Sequence, residues 1–153
     1  MRIQEIVPPG AILDRLRAET KEGVLRELSE AVARSVPSLS VDVLTATLMD
    51  RESLGSTGIG DGVAIPHGKI PGIDRLVAAF GRSLPGVPFH SLDGKPAHLF
   101  FLIVAPAQSA GMHLKALARI SRLLKDERFR RRLLEAADGE ELSRVLFAED
   151  ATV

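Results

Sequence analysis

Four histidines, a segment with four glycines in eight residues and the arginines near them are the side chains in this sequence equipped for covalent or charge-stabilising chemistry. Cysteine is absent, so disulfides, thiolate metal sites and a thiol nucleophile are excluded. Of the histidines, His67 is the best placed. It lies between Pro66 and Gly68, directly after Val63-Ala64-Ile65, which reads as a short buried strand. Its neutral imidazole is nucleophilic near neutral pH without prior activation. A lone loop histidine is more often a surface ring with a satisfied hydrogen bond, but a position at a strand end beside a glycine-rich turn favours chemistry.

The glycine segment, Gly55-Ser56-Thr57-Gly58-Ile59-Gly60-Asp61-Gly62, lets the chain turn tightly or approach a ligand closely. It is not a dinucleotide fingerprint, which needs a strand before it and a helix after it, the reverse of the order here. Nor is it a P-loop: the spacing from Gly62 to Gly68-Lys69 is one residue too long, and Ile70 stands where the magnesium-binding Ser or Thr belongs. If a phosphoryl group arrives here, it must come from a phosphorylated partner rather than from a nucleotide, with no cofactor and no bound metal required.

The remaining candidates have plain readings. His90 sits in a polar loop and His98 at a strand edge, and both are assigned to structure or solvent. Taken alone, His113 reads as a cap or core-edge ring. The four histidines lack the short spacings of a zinc site. Arg128, Arg130, Arg131 and Arg132 share a helix with Asp126, Glu127 and Glu135, the pattern of a solvated face.

The elements that must hold these residues follow from periodicity. Helices are expected from Thr20 to Ser35, ended by Pro37, and from Ser40 to about Glu52. Strands are expected at Val63 to Ile65, Leu76 to Ser83 and Ala97 to Val104, the last a continuous apolar run suited to a central strand covered on both faces. Three helices follow: Met112 to Leu124, Asp126 to about Ala137, and Asp138 to about Phe147, with Asp138 and Glu141 at capping-box spacing. Ala11 to Ala18 is read as a strand, residues 1–10 as irregular and 148–153 as a loose tail. The order predicts an α/β fold, a three-layer α/β/α sandwich on a mixed central sheet, in one domain.

Bulk properties agree. The 153 residues suit one core, and hydrophobic residues make up 45% of them, spread along the chain. Twenty basic and twenty acidic residues cancel, which argues against nucleic acid or an anionic membrane as partner. The first ten residues do not resemble a secretion signal, and the longest apolar stretch is too short to span a bilayer, so a cytoplasmic location is expected.

The run Arg51-Glu52-Ser53-Leu54-Gly55-Ser56-Thr57-Gly58-Ile59-Gly60-Asp61-Gly62-Val63-Ala64-Ile65-Pro66-His67-Gly68-Lys69 resembles the phosphorylation-site region of the fructose/mannitol-type IIA family of the phosphoenolpyruvate-dependent phosphotransferase system, and its nitrogen-regulatory branch in particular. The resemblance continues through Phe101 to Pro106, His113-Leu114, Arg131-Arg132-Leu133 and Glu140-Glu141-Leu142. It implies that His67 is phosphorylated, through Nε2, by a small histidine-phosphorylated carrier protein (HPr) or its nitrogen-branch counterpart (NPr). It also implies that His113 and Arg51 lie beside His67. A phosphoryl group in flight spreads charge over three oxygens, which Arg51, a ring N–H of His113 and helix N-terminal amides would stabilise, with Ser56 and Thr57 as further hydroxyl donors.

Implied partners are regulatory targets such as a transporter or sensor kinase. In a sugar-specific IIA the partner would instead be a IIB component. A non-catalytic binding module of the same fold, resembling the cytoplasmic domain of anion exchangers, is the alternative from another class.

Overall fold

The computed structural model describes residues 2–109 and 111–152. In chain order it contains α1 (Ile3–Ile6), β1 (Ile12–Leu13), α2 (Lys21–Ala33), α3 (Val41–Ser53), β2 (Gly58–Gly60), β3 (Val63–Ala64), β4 (His67–Ile70), β5 (Val77–Val87), β6 (Ala97–Pro106), α4 (Met112–Leu124), α5 (Glu127–Glu135) and α6 (Gly139–Ala151). The sheet is mixed and runs β1-β5-β6-β3-β2, with β4 also paired to β6. β5 and β6 form its antiparallel centre, while β1, β3 and β4 join in parallel.

The helices begin where side chains satisfy free amides. Thr20 Oγ1 accepts from the Gly23 amide at 3.1 Å, Ser40 Oγ from Val43 at 3.2 Å, and Asp138 Oδ1 from Glu141 at 2.9 Å. Each such cap is worth about 1 kcal/mol. α2 then buries Val24, Leu25, Leu28 and Val32 at helical spacing.

The centre of the core is β6, where Leu99 through Ala105 are all buried. Successive side chains of a strand point to opposite faces, so a run buried throughout needs cover on both. β5 shows what supplies it. A Cβ on Gly81 would strike Leu28 of α2 at 3.0 Å, whereas its neighbour Arg82 reaches the carbonyls of Leu133 and Ala136 at the end of α5. Helices α2 and α3 therefore form one layer, and α4, α5 and α6 the other. Phe80 and Phe101 meet edge to face with centroids 5.6 Å apart.

Several expected elements are redrawn. The strand expected over Ala11 to Ala18 is confined to Ile12–Leu13, and Leu16 turns in to reach Gly81. Residues 3–6 of the irregular start are helical. The expected loose tail is not loose: α6 continues to Ala151 because Asp150, 1% exposed, accepts from the Ile3 amide at 2.6 Å and from Arg119 Nε at 2.5 Å. Met1 and Val153, the outermost residues of those two stretches, lie outside the described residues.

Candidate functional site

His67 is not a loop residue. It opens β4, a strand set off from β3 by Pro66. Both β3 and β4 pair with β6, and they do so in one register, Val63 opposite Leu99 and His67 opposite Ile103. They are one parallel strand interrupted at Pro66, which has no N–H to give to the ladder. The Pro66 carbonyl still accepts from the Ile103 amide at 3.0 Å. The interruption brings the Ile65 carbonyl to the His67 ring, 2.9 Å from Nδ1. A carbonyl oxygen can only accept, so Nδ1 carries the proton and the neutral ring presents its lone pair at Nε2. The residue is half-buried.

Strand alternation assigns the neighbours. A Cβ on Gly68 would sit 3.4 Å from Thr47 Cγ2 and Leu48 Cδ2, so Gly68 faces α3. His67 and Lys69 point the other way, towards the start of α4. There Lys69 Nζ donates to the Ser109 carbonyl at 3.1 Å. His113, in the first turn of α4, has its pKa pushed below the ordinary histidine value, first by desolvation and then by the nearby charges of Lys69 and His67. Lys69 and His67 both bear on the electrostatics of His113. His113 Nδ1 and Ser109 Oγ are buried without a hydrogen-bond partner among the described residues. The amides of Met112 and His113, the first two of α4, also have no carbonyl of their own helix to bond.

Arg51 occupies the last turn of α3, one turn beyond the Thr47 and Leu48 that line Gly68. Its Nη1 donates to the Gly55 carbonyl at 2.9 Å, bracing the start of the glycine segment, and among the described residues no hydrogen bond joins it to His67.

Ser56 and Thr57, the further hydroxyl donors expected at the site, lie in the segment that leads to His67. Their hydroxyl protons are committed inside the protein: Ser56 Oγ donates to the Phe89 carbonyl at 2.5 Å, and Thr57 Oγ1 donates to Glu52. The Glu52 carboxylate also accepts from the Thr57 amide at 3.0 Å and pairs with Lys21 Nζ at 2.7 Å. Burying that carboxylate is tolerable only with every partner in place, so these bonds fix the segment that leads to His67.

The glycine segment is itself a hairpin. Asp61 and Gly62, with φ of 57° and 77°, form the two-residue turn between β2 and β3. That is the geometry in which Asp-Gly recurs between strands, and the dipeptide was the signal for it. His90 and His98 stand outside the site; His98 Nδ1 donates to the Ser83 carbonyl at 3.0 Å. Among the described residues no group of three or more potential metal ligands occurs, and no helix is long and apolar enough to cross a membrane. A nucleophilic Nε2 on the face of β4 that also carries Lys69 is suited to an electrophile that carries negative charge.

Comparison with known proteins agrees with that chemistry. Residues 5–149 match the family model described as the phosphoenolpyruvate-dependent sugar phosphotransferase system, EIIA 2. A nitrogen regulatory protein of Bradyrhizobium diazoefficiens is 40% identical over 152 residues, covering 99% of each chain. The fructose-specific EIIABC component of Bacillus subtilis is 37% identical over 150 residues, which are 98% of this chain and 24% of that protein. The crystal structure of the nitrogen regulatory protein IIA-Ntr from Neisseria meningitidis superposes with a TM-score of 0.87 at 34% identity, covering 94% of this chain and 98% of that one. With most of its length matched by the family model and by relatives of this identity, the chain belongs to the EIIA 2 family of the phosphoenolpyruvate-dependent phosphotransferase system.

Proposed function

We propose that this protein carries a phosphoryl group on Nε2 of His67, received from a phosphohistidine on an HPr- or NPr-like carrier. The observation that carries the reading is the Nδ1 contact to the Ile65 carbonyl, which leaves Nε2 as the nucleophilic nitrogen. In the transfer, the Nε2 lone pair forms the new P–N bond while the donor's P–N bond breaks, its electron pair returning to the donor ring. No proton has to move, because Nδ1 keeps its hydrogen throughout. Developing charge on the oxygens is met by Lys69, by His113 and by the first amides of α4.

The end-to-end likeness to nitrogen regulatory proteins supports a regulatory role, in which free and phosphorylated forms are distinguished by a target such as a transporter or sensor kinase. The comparable likeness to a fructose-specific component supports the second reading, a sugar-specific IIA that passes the group to a IIB partner.

Incubation with phosphoenolpyruvate, the first enzyme of the system and the carrier, followed by intact mass measurement, tests the chemistry. One acid-labile phosphoryl group is expected on the wild type and none on His67→Ala. An unmodified wild type, or an equally modified variant, removes the proposal. Rapid onward transfer to a fructose-type IIB domain would favour the sugar-specific reading over the regulatory one.

A further inference from the structure

Lys69 ties β4 to the connection that leads into α4. Its side chain is exposed, among the described residues it pairs with no carboxylate, and its one side-chain hydrogen bond there is to a backbone carbonyl forty residues away, Ser109 O at 3.1 Å. Ser109 belongs to the connection between β6 and α4, and α4 carries His113. Lys69 and His67 stand two residues apart on the same face of β4, roughly 6.6 Å along the strand. The four-carbon stem of a lysine sweeps that distance, and its ammonium turns freely among acceptors.

We propose that Lys69 is the counter-ion of the phosphoryl group on His67, and that it exchanges partners on phosphorylation: it leaves the Ser109 carbonyl for the phosphate oxygens and thereby releases the connection that leads into α4. The inference rests on His67 being the phosphoryl acceptor.

The physical reason is a difference between acceptors. In the free protein the ammonium has a neutral carbonyl. A phosphoryl group on Nε2 brings a charge of about −1.5 to −2 into the same neighbourhood, and hydrogen bonds between ionised groups are about twice as strong as neutral ones. The ammonium's field already reaches across the site, since it helps to hold His113 in its neutral form. Two buried polar atoms of this connection and the first turn of α4, Ser109 Oγ and His113 Nδ1, have no partner among the described residues. The cluster thus has groups that a phosphate oxygen can satisfy. Once Lys69 moves, the Ser109 carbonyl loses its donor, and the stretch from Ala107 to Ser109 loses one of its ties to β4. The two states of His67 then differ in the local order of the β6–α4 connection as well as in charge.

Two measurements on the full chain test this: the equilibrium of phosphoryl transfer with the carrier, and amide hydrogen exchange of the peptide spanning residues 107–114, before and after phosphorylation. In the wild type, exchange in that peptide is expected to rise several-fold when His67 is phosphorylated. In Lys69→Met the peptide should exchange fast in both states, and the transfer equilibrium should move about tenfold towards the donor, the size of one lost charge-assisted contact. Lys69→Arg, which keeps the charge, should restore most of the equilibrium.

Exchange unchanged by phosphorylation in the wild type, or a Lys69→Met equilibrium within twofold of wild type, overturns the inference. A wild type that takes up no phosphoryl group at all sinks the phosphotransfer reading instead, so the two failures are distinguishable.

Discussion

The ring of His67 is oriented by Ile65, a residue two places earlier in its own chain, through a 2.9 Å contact between Nδ1 and the carbonyl oxygen. Because that oxygen can only accept, the proton sits on Nδ1 in the neutral ring, and the same bond survives when Nε2 becomes substituted. The phosphorylated protein should therefore show phosphorus coupled to Nε2 in nitrogen- and phosphorus-resolved NMR, with the Nδ1 proton still present and protected. Coupling to Nδ1 would mean that the ring rotates before it reacts, and the assignment of the nucleophile would be wrong.

Arg51 is predicted to act on the rate rather than on the fold. Its guanidinium holds a single carbonyl, Gly55 O, at the end of α3, so Arg51→Ala should cost under about 1 kcal/mol of stability. If the guanidinium also swings to the phosphoryl oxygens during transfer, the variant should transfer about 10-fold to 100-fold more slowly. Stopped-flow transfer from the phosphorylated carrier measures this, and an unchanged rate excludes Arg51 from the site.

The long periodic helices and the apolar run of β6 were legible in the sequence because burial on one face, or on both, writes a period into it. The hairpin of β2 and β3 was not, although Asp61-Gly62 marks it: three of its seven residues are glycine, which gives no alternating pattern to read. β4 was hidden for a different reason. Pro66 and Gly68 look like loop punctuation, and only the pairing with β6 shows that His67-Gly68-Lys69-Ile70 is extended. Reading that stretch as a loop also concealed Lys69, since only strand alternation places it on the same face as His67. The histidine was recoverable from its neighbours; its surroundings needed the third dimension.

Ser56 and Thr57 show how a donor near a site can belong to the scaffold. Ser56→Ala should cost about 1 kcal/mol through loss of the Phe89 and Gly58 contacts. Thr57→Val should cost about 1–3 kcal/mol, because it strips a donor from the buried Glu52 carboxylate. Urea denaturation gives both values. In conditions where the variants are folded, transfer should change less than twofold. A large loss of rate without loss of stability would restore the hydroxyls to the site.

The depressed pKa of His113 sets a sign for the pH dependence of stability. Its folded-state value lies below the ordinary histidine value because desolvation, with the charges of Lys69 and His67, opposes protonation. Between the folded and unfolded values the unfolded chain binds more protons, so stability is full above about pH 6.5 and is lost as the pH falls below it. Urea midpoints measured from pH 7.5 to 5 should fall more steeply for the wild type than for His113→Gln, which cannot take up the proton. Equal slopes would show that the ring is solvated as in the unfolded chain.

Asp150 links the two chain ends to the helix that carries His113. Its carboxylate accepts from the Ile3 amide and Arg119 Nε, and its backbone carbonyl takes Arg119 Nη2 at 2.9 Å, joining α1, α4 and α6. Asp150→Ala leaves a largely buried guanidinium and a buried amide without their acceptor, which should cost about 3 kcal/mol. Asp150→Asn keeps an acceptor but removes the charge and should cost less than the alanine. The damage should spread along α4, so transfer to His67 should slow in Asp150→Ala even where circular dichroism shows a folded protein. A stability loss under about 0.5 kcal/mol, within the range of ordinary surface substitutions, would mean that the last turn of α6 is not anchored as described.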